Sequence, residues 1–133
     1  MSEILAKATT GTEKYKTTIE ARTHCYVADE PIAENGLDAG MMPTELLAGA
    51  LASCTSITLR MYADRKGWEI GEIAVSVKMV RDTAAGKTSF SRLISFQNEL
   101  EGVQKERLLS IANACPVHKI LSGSIEIDTK VEA

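Results

Sequence analysis

The chain has 133 residues, 44% of them hydrophobic and 25% charged, with 15 Lys and Arg against 18 Asp and Glu for a net charge of -3. That length suits a single domain spanning 1–133 whose core forms without disulfide staples. The acidic balance and the lack of a basic cluster exclude a surface that tracks a phosphate backbone, so nucleic acid is not an expected partner.

The first ten residues contain no apolar run followed by a small-residue cleavage site, which points to a cytoplasmic protein. Three cysteines are an odd number, and without a secretion signal they do not describe a disulfide framework. They are packing residues or redox chemistry.

From Ile4 to Asp29 polar and apolar residues roughly alternate, interrupted at residues 9–13 by TTGTE. The pattern predicts two antiparallel strands joined by a glycine-containing turn. On the second strand Thr18, Glu20, Arg22, His24 and Tyr26 would share one face, with Ile19, Ala21, Thr23, Cys25 and Val27 on the other. Residues 28–42 form a loop rich in Asp, Gly and Pro, long enough to be functional.

A helix is predicted from Pro43 up to Gly67. Pro43 fits the first turn, Glu45 complements the positive N-terminus, and Arg60, Arg65 and Lys66 complement the negative C-terminus before Gly67 ends it. Residues 46–59 carry no formal charge, so this helix is expected to be buried on every side. The uncharged core is short for a bilayer and threaded with Ser and Thr, and no membrane partner is expected. A 133-residue monomer would struggle to cover such a helix, which predicts a homodimer.

Residues 68–80 alternate through Ile70, Ile73, Val75, Val77 and Met79 as a strand, 82–87 turn, and Phe90 to Leu100 return as its hairpin partner. Gln104 to Ala114 is an amphipathic helix through Leu108, Leu109, Ile111 and Ala112. Pro116 pushes Cys115 out of the α region and suits the opening of a short helix ending near Gly123, which makes Cys115 an N-cap. Residues 124–131 alternate strictly and read as a final strand. The order β-β-α-β-β-α-β is α+β, with antiparallel sheets packed around a long central helix.

The residues that could carry chemistry are Cys54, inside the apolar helix, and Cys115 at the Cys-Pro break. Buried free cysteine usually behaves as a small hydrophobe, and reactivity depends on surroundings. An N-cap lowers the pKa of Cys115, whereas Cys54 needs a nearby cation, so the physics of the residues alone nominates Cys115 as nucleophile. A zinc reading from Cys115 with His118 and from His24 with Cys25 is weak, because adjacent strand residues point to opposite faces and one C-x-x-H is half a site. Neither a bound metal nor a cofactor is expected.

Residues 43–68, PTELLAGALASCTSITLRMYADRKGW, and 111–121, IANACPVHKIL, resemble the two cysteine motifs of the OsmC/Ohr family of osmotically inducible and organic hydroperoxide resistance proteins. Residues 24–31, HCYVADEP, resemble the OsmC-like branch. The resemblance implies thiol peroxidase chemistry in an intertwined homodimer, with an organic hydroperoxide as substrate and a dithiol as reductant. It makes Cys54 the peroxidatic thiolate and Cys115 the resolving thiol, reversing the nomination above.

Arg22, the only arginine in the N-terminal strands, would be the activating cation. A carboxylate helps hold that arginine in the family and directly follows the proline in the hydroperoxide resistance proteins. Here that position is Thr44, and the acid comes one residue later as Glu45. Glu45 precedes Cys54 by nine residues, which places it on the opposite side of the helix and roughly 13 Å away along the axis, so a contribution from it favours a site built across two chains. Glu45 reads equally as a first-turn helix acid. The rival reading is a non-catalytic redox sensor or small-molecule binding protein, kept open by Thr44 and the extra Cys25.

Overall fold

The computed structural model describes residues 2–132. The elements in chain order are β1 (Lys7–Thr10), β2 (Thr17–Ala21), β3 (His24–Ala28), a 3-10 turn (Ile32–Glu34), α1 (Pro43–Lys66), β4 (Ile73–Asp82), β5 (Lys87–Phe96), α2 (Gly102–Ala112) and α3 (Pro116–Ser122). This is an α+β chain with two antiparallel sheets, β1-β2-β3 and β4-β5. The described residues fall into two compact units, one ending at Leu47 and one beginning at Ala48.

In the first unit the expected pair of N-terminal strands is corrected to three. The chain reverses at Arg22 and Thr23, where Arg22 has φ 55, and Ala21 pairs with His24. A two-residue reversal hides inside an alternating pattern because the alternation runs straight through it, yet it changes which residues share a face. Glu20 pairs with Cys25 and Thr18 with Val27, so Cys25 joins the Glu20 face, while His24 and Tyr26 join Ala21 and Ile19.

The loop that follows is organised by buried Asp29, whose carboxylate accepts from the N–H groups of Glu30, Leu37 and Ala39. Burial pushes this acid up, but those three N–H groups, with Lys16 nearby, hold it below the usual carboxylate range. Gly36 passes so close to the Glu30 carbonyl that any Cβ there would sit 2.0 Å from its oxygen.

α1 begins and ends where the sequence predicts. The Glu45 side chain accepts from the Met42 N–H at 2.8 Å, as a first-turn acid does. At the other end Gly67, with φ 70, leaves its N–H on the Asp64 carbonyl and the Trp68 N–H on Ala63, a Schellman stop.

The expectation of burial on every side is corrected. Only Leu51, Thr55, Leu59 and Ala63 are buried, one stripe at a spacing of four, while Ile57 and Met61 are exposed. By length and composition alone the helix would suffice to cross a membrane, a test that the core helix of a folded domain meets as well.

In the second unit β4 and β5 pair in register from Ile73↔Phe96 to Asp82↔Lys87. Their half-buried residues alternate, Ile73, Val75, Val77 and Met79 opposite Phe96, Ile94, Arg92 and Phe90. The core gathers Leu59, Ala63, Ile70, Leu108 and Ala112, with Trp68, Ile73, Ile94 and Phe96 packed against it.

α2 is opened by a capping box between Glu101 and Gln104. The strand expected at 124–131 is absent: these residues are exposed, Ile127 at 87% and Val131 at 94%, and pair with no edge among the described residues. Alternation supplies a strand's faces but not the neighbour whose hydrogen bonds make it one.

Candidate active site

The second unit brings Cys54 and Cys115 together. Cys54 lies half-buried on α1, one residue before buried Thr55, and Cys115 is fully buried as the N-cap of α3. Pro116 at the first helical position leaves Cys115 extended, with φ -60 and ψ 133, and its sulfur accepts from the His118 N–H at 3.4 Å. The Thr55 hydroxyl lies 3.8 Å from Cys115 Sγ, and the Cys54 thiol is near enough for the two sulfurs to shift each other's ionisation.

These contacts separate the two thiols chemically. Burial pushes Cys115 up, but the His118 N–H, the Cys54 thiol, the Thr55 hydroxyl and the Val117 N–H together hold it below the ordinary cysteine value. Burial also pushes Cys54 up, and there it wins: hydrogen bonds from Val117 and Thr58 oppose it, but the neighbouring Cys115 adds to it. Within the pair, the surroundings favour a negative charge on Cys115 over one on Cys54.

Sequence reasoning missed Arg92. It occupies an inward position on β5, between Phe90 and Ile94 and opposite Val77. Nη1 donates to Thr55 Oγ1 and to the Ala112 carbonyl, each at 3.0 Å, and Nη2 to Asn113 Oδ1 at 3.0 Å and His118 Nδ1 at 2.7 Å. A guanidinium has only donors, so His118 Nδ1 must be the acceptor and the ring proton lies on Nε2. The available signal was a charge in the apolar register of an alternating strand.

Arg92 and His118 also line a cavity of about 290 Å³, with Leu51, Phe90 and Leu121 as its apolar wall and Thr88 and Ser122 as further polar groups.

Of the other expected site residues, Arg22 stands exposed at the β2–β3 reversal rather than within a strand, and Glu45 is engaged with the Met42 N–H. Both belong to the first unit, whereas the groups that hydrogen-bond the two thiols come from the second. Cys25 is exposed on β3. Cys115 and His118 are neighbours, as their spacing suggests, but the ring nitrogen Nδ1 is taken by Arg92. Among the described residues no three His, Cys, Asp or Glu side chains gather as a metal site.

The OsmC-like protein family matches residues 35–130. Among solved structures the fold is similar to that of a Psychrobacter arcticus protein provisionally named for osmotic stress induction and a detoxification response, at 24% identity over 90% of this chain and 89% of that one, with a TM-score of 0.78. It is similar too to an OsmC-like protein from Mycoplasma pneumoniae, at 21% identity over 92% and 89% of the two chains with a TM-score of 0.73. The organic hydroperoxide resistance protein OhrB of Bacillus subtilis shares 22% identity over 92% of each chain, with a TM-score of 0.63. No curated protein matches the sequence significantly. With the family matched over most of its length and the fold shared by these structures, the chain belongs to the OsmC-like protein family.

Proposed function

We propose that the chain is a thiol-dependent peroxidase that reduces organic hydroperoxides at the expense of an external dithiol, in a reducing cytoplasm. The observation that carries the reading is the placing of Cys54 on α1 beside Cys115, whose sulfur the adjacent Thr55 hydroxyl reaches at 3.8 Å, one thiol buried among hydrogen-bond donors and the other half-exposed. The organic hydroperoxide resistance protein among its structural relatives supports the substrate class.

The Cys54 thiolate attacks the peroxide's outer oxygen, the O–O bond breaks, and the alkoxide leaves and is protonated to the alcohol. Cys115 then attacks the Cys54 sulfenic sulfur, water leaves, and a disulfide forms that two electrons from the dithiol reopen. Arg22 and Glu45 keep the roles the family resemblance implies, an activating cation and the carboxylate that holds it.

One equivalent of an organic hydroperoxide is expected to consume both Cys54 and Cys115 and leave Cys25 free to alkylation, mapped by mass spectrometry. A protein that leaves the hydroperoxide untouched is a sensor or binding protein instead, and Cys25 in the dominant disulfide would reassign the roles.

We further propose that the working form is a homodimer. Ile57 and Met61 on α1 and Ile125, Ile127 and Val131 near the C-terminus are exposed apolar side chains that a second copy would cover. Sedimentation at low micromolar concentration should give one species of twice the chain mass, and a folded monomer there removes the assignment.

A further inference from the structure

Even half-burying a guanidinium is unfavourable unless its donors are paired and its charge is answered. Arg92 has its Nη donors paired, with Thr55 of α1, Ala112 and Asn113 at the end of α2, and His118 of α3. None of these acceptors is a carboxylate, and among the described residues Arg92 forms no ion pair. The charge is answered through a hydroxyl. Thr55 Oγ1 receives the Arg92 N–H, and its own single proton has two acceptors, the Leu51 carbonyl at 2.7 Å and Cys115 Sγ at 3.8 Å. A negative sulfur turns that proton toward itself, and the Arg92 N–H makes the hydroxyl a stronger donor to it.

We propose that Arg92 is a positioning residue for the thiol pair: acting through Thr55, it turns a hydroxyl donor toward Cys115 Sγ, so that the buried sulfur serves as the base for Cys54. The link from Arg92 through Thr55 to Cys115 stands on the contacts, and the base role rests on the peroxidase reading. In that reading the Cys54 proton passes to Cys115 as the Cys54 sulfur attacks the outer peroxide oxygen. The O–O bond breaks, and Cys115 returns the proton to the departing alkoxide to give the alcohol. The Cys115 thiolate then attacks the Cys54 sulfenic sulfur, and the hydroxide released takes a proton from solvent. Arg92 thus acts on the opposite sulfur from the one the resemblance pairs with Arg22. The titratable groups beside Cys115 are Cys54 from α1 and His118 from α3, and the charge of Arg92 from β5 reaches it through Thr55 and His118, with the Ala112 carbonyl and the Asn113 amide at the end of α2 among the other acceptors of Arg92.

The test is the ultraviolet thiolate absorbance of the reduced protein followed against pH, in a Cys25→Ser background and with no peroxide present. The parent should show a first midpoint below the free-thiol value of about 8.5, and Cys115→Ser should erase it. Arg92→Met should raise that midpoint by about one unit or more, a tenfold loss of thiolate at fixed pH, with Arg92→Lys between the two. Thr55→Val should raise it while leaving the other Arg92 bonds in place, and Thr55→Ser should restore it. The last pair decides the matter should Arg92→Met fail to fold. Midpoints unmoved by Thr55→Val, or a low midpoint that survives Cys115→Ser and disappears in Cys54→Ser, would overturn the proposal. Failure of the peroxidase reading shows separately, as an unperturbed low midpoint in a protein that consumes no hydroperoxide.

Discussion

Cys54→Ser is expected to bring hydroperoxide reduction down to background, a loss of two orders of magnitude or more by the scale of nucleophilic and acid–base catalysis. Cys115→Ser should still consume one equivalent, slowly, and stop with Cys54 trapped as a sulfenic acid, because attack needs only the first thiol. The prediction is sharp because the two sulfurs divide the qualities a nucleophile requires. Cys115 has the more accessible charge but is fully buried, whereas Cys54 is half-buried and reachable. Each unit by which Cys54 is the weaker acid lowers its thiolate population tenfold, about 1.4 kcal/mol. Part of that is recovered, since nucleophilicity rises with thiol pKa at a Brønsted slope of about 0.4–0.5. Access therefore decides, and it favours Cys54. Rapid mixing with an organic hydroperoxide, scored by sulfenic acid trapping, distinguishes the variants; a Cys54→Ser protein that reacts as fast as its parent removes the mechanism.

The residues that announce an element locally were the ones legible in the sequence. Pro43, Glu45 and Gly67 each act within one turn of α1, and the helix runs from Pro43 to Lys66. Cys115 before Pro116 likewise became the N-cap of a seven-residue helix. What escaped was information held by a neighbour. The reversal at Arg22 and Thr23 left the alternation intact, so nothing local marked it, and with it went the placing of Arg22 in a strand. The alternation of 124–131 described faces without an edge to pair with.

The site divides along the same line. Cys54 and Cys115 stood out because a thiol inside an apolar helix and a thiol before a proline are unusual where they are. Their meeting is a tertiary fact, carried by the N-cap of α3 lying against Thr55 of α1. Arg92 was legible only as an exception in the strand from Lys87 to Phe96, where its neighbours two residues away on either side are Phe90 and Ile94. Which acceptors it meets depends on where α2 ends, since the Ala112 carbonyl is freed for Arg92 by the termination of that helix.

Leu59→Ala should destabilise the protein by about 2–5 kcal/mol, toward the upper end of that range. Leu59 is fully buried, and it packs with Ala63, Ile70, Leu108 and Ala112. Two of those four neighbours are alanines, which have no side-chain length with which to fill the space left behind, so the cavity stays open and its contacts are lost outright. Exposed Ile57, two residues earlier on the same helix, supplies the contrast: within one chain its truncation should change stability by no more than about 0.5 kcal/mol. A larger effect of Ile57→Ala that grows as protein is diluted would instead report a subunit interface on that face, because the stability of a dimer depends on its concentration. Urea unfolding of both variants at matched concentrations measures the pair, with an unchanged slope required for the comparison. A loss below about 1 kcal/mol for Leu59→Ala would mean that the core of the second unit is not centred on this helix. Since Leu59 lies one helical turn beyond Thr55 on the same buried stripe, loosening it should also weaken the Thr55 contact to Cys115 and carry the lower thiolate midpoint upward with the lost stability.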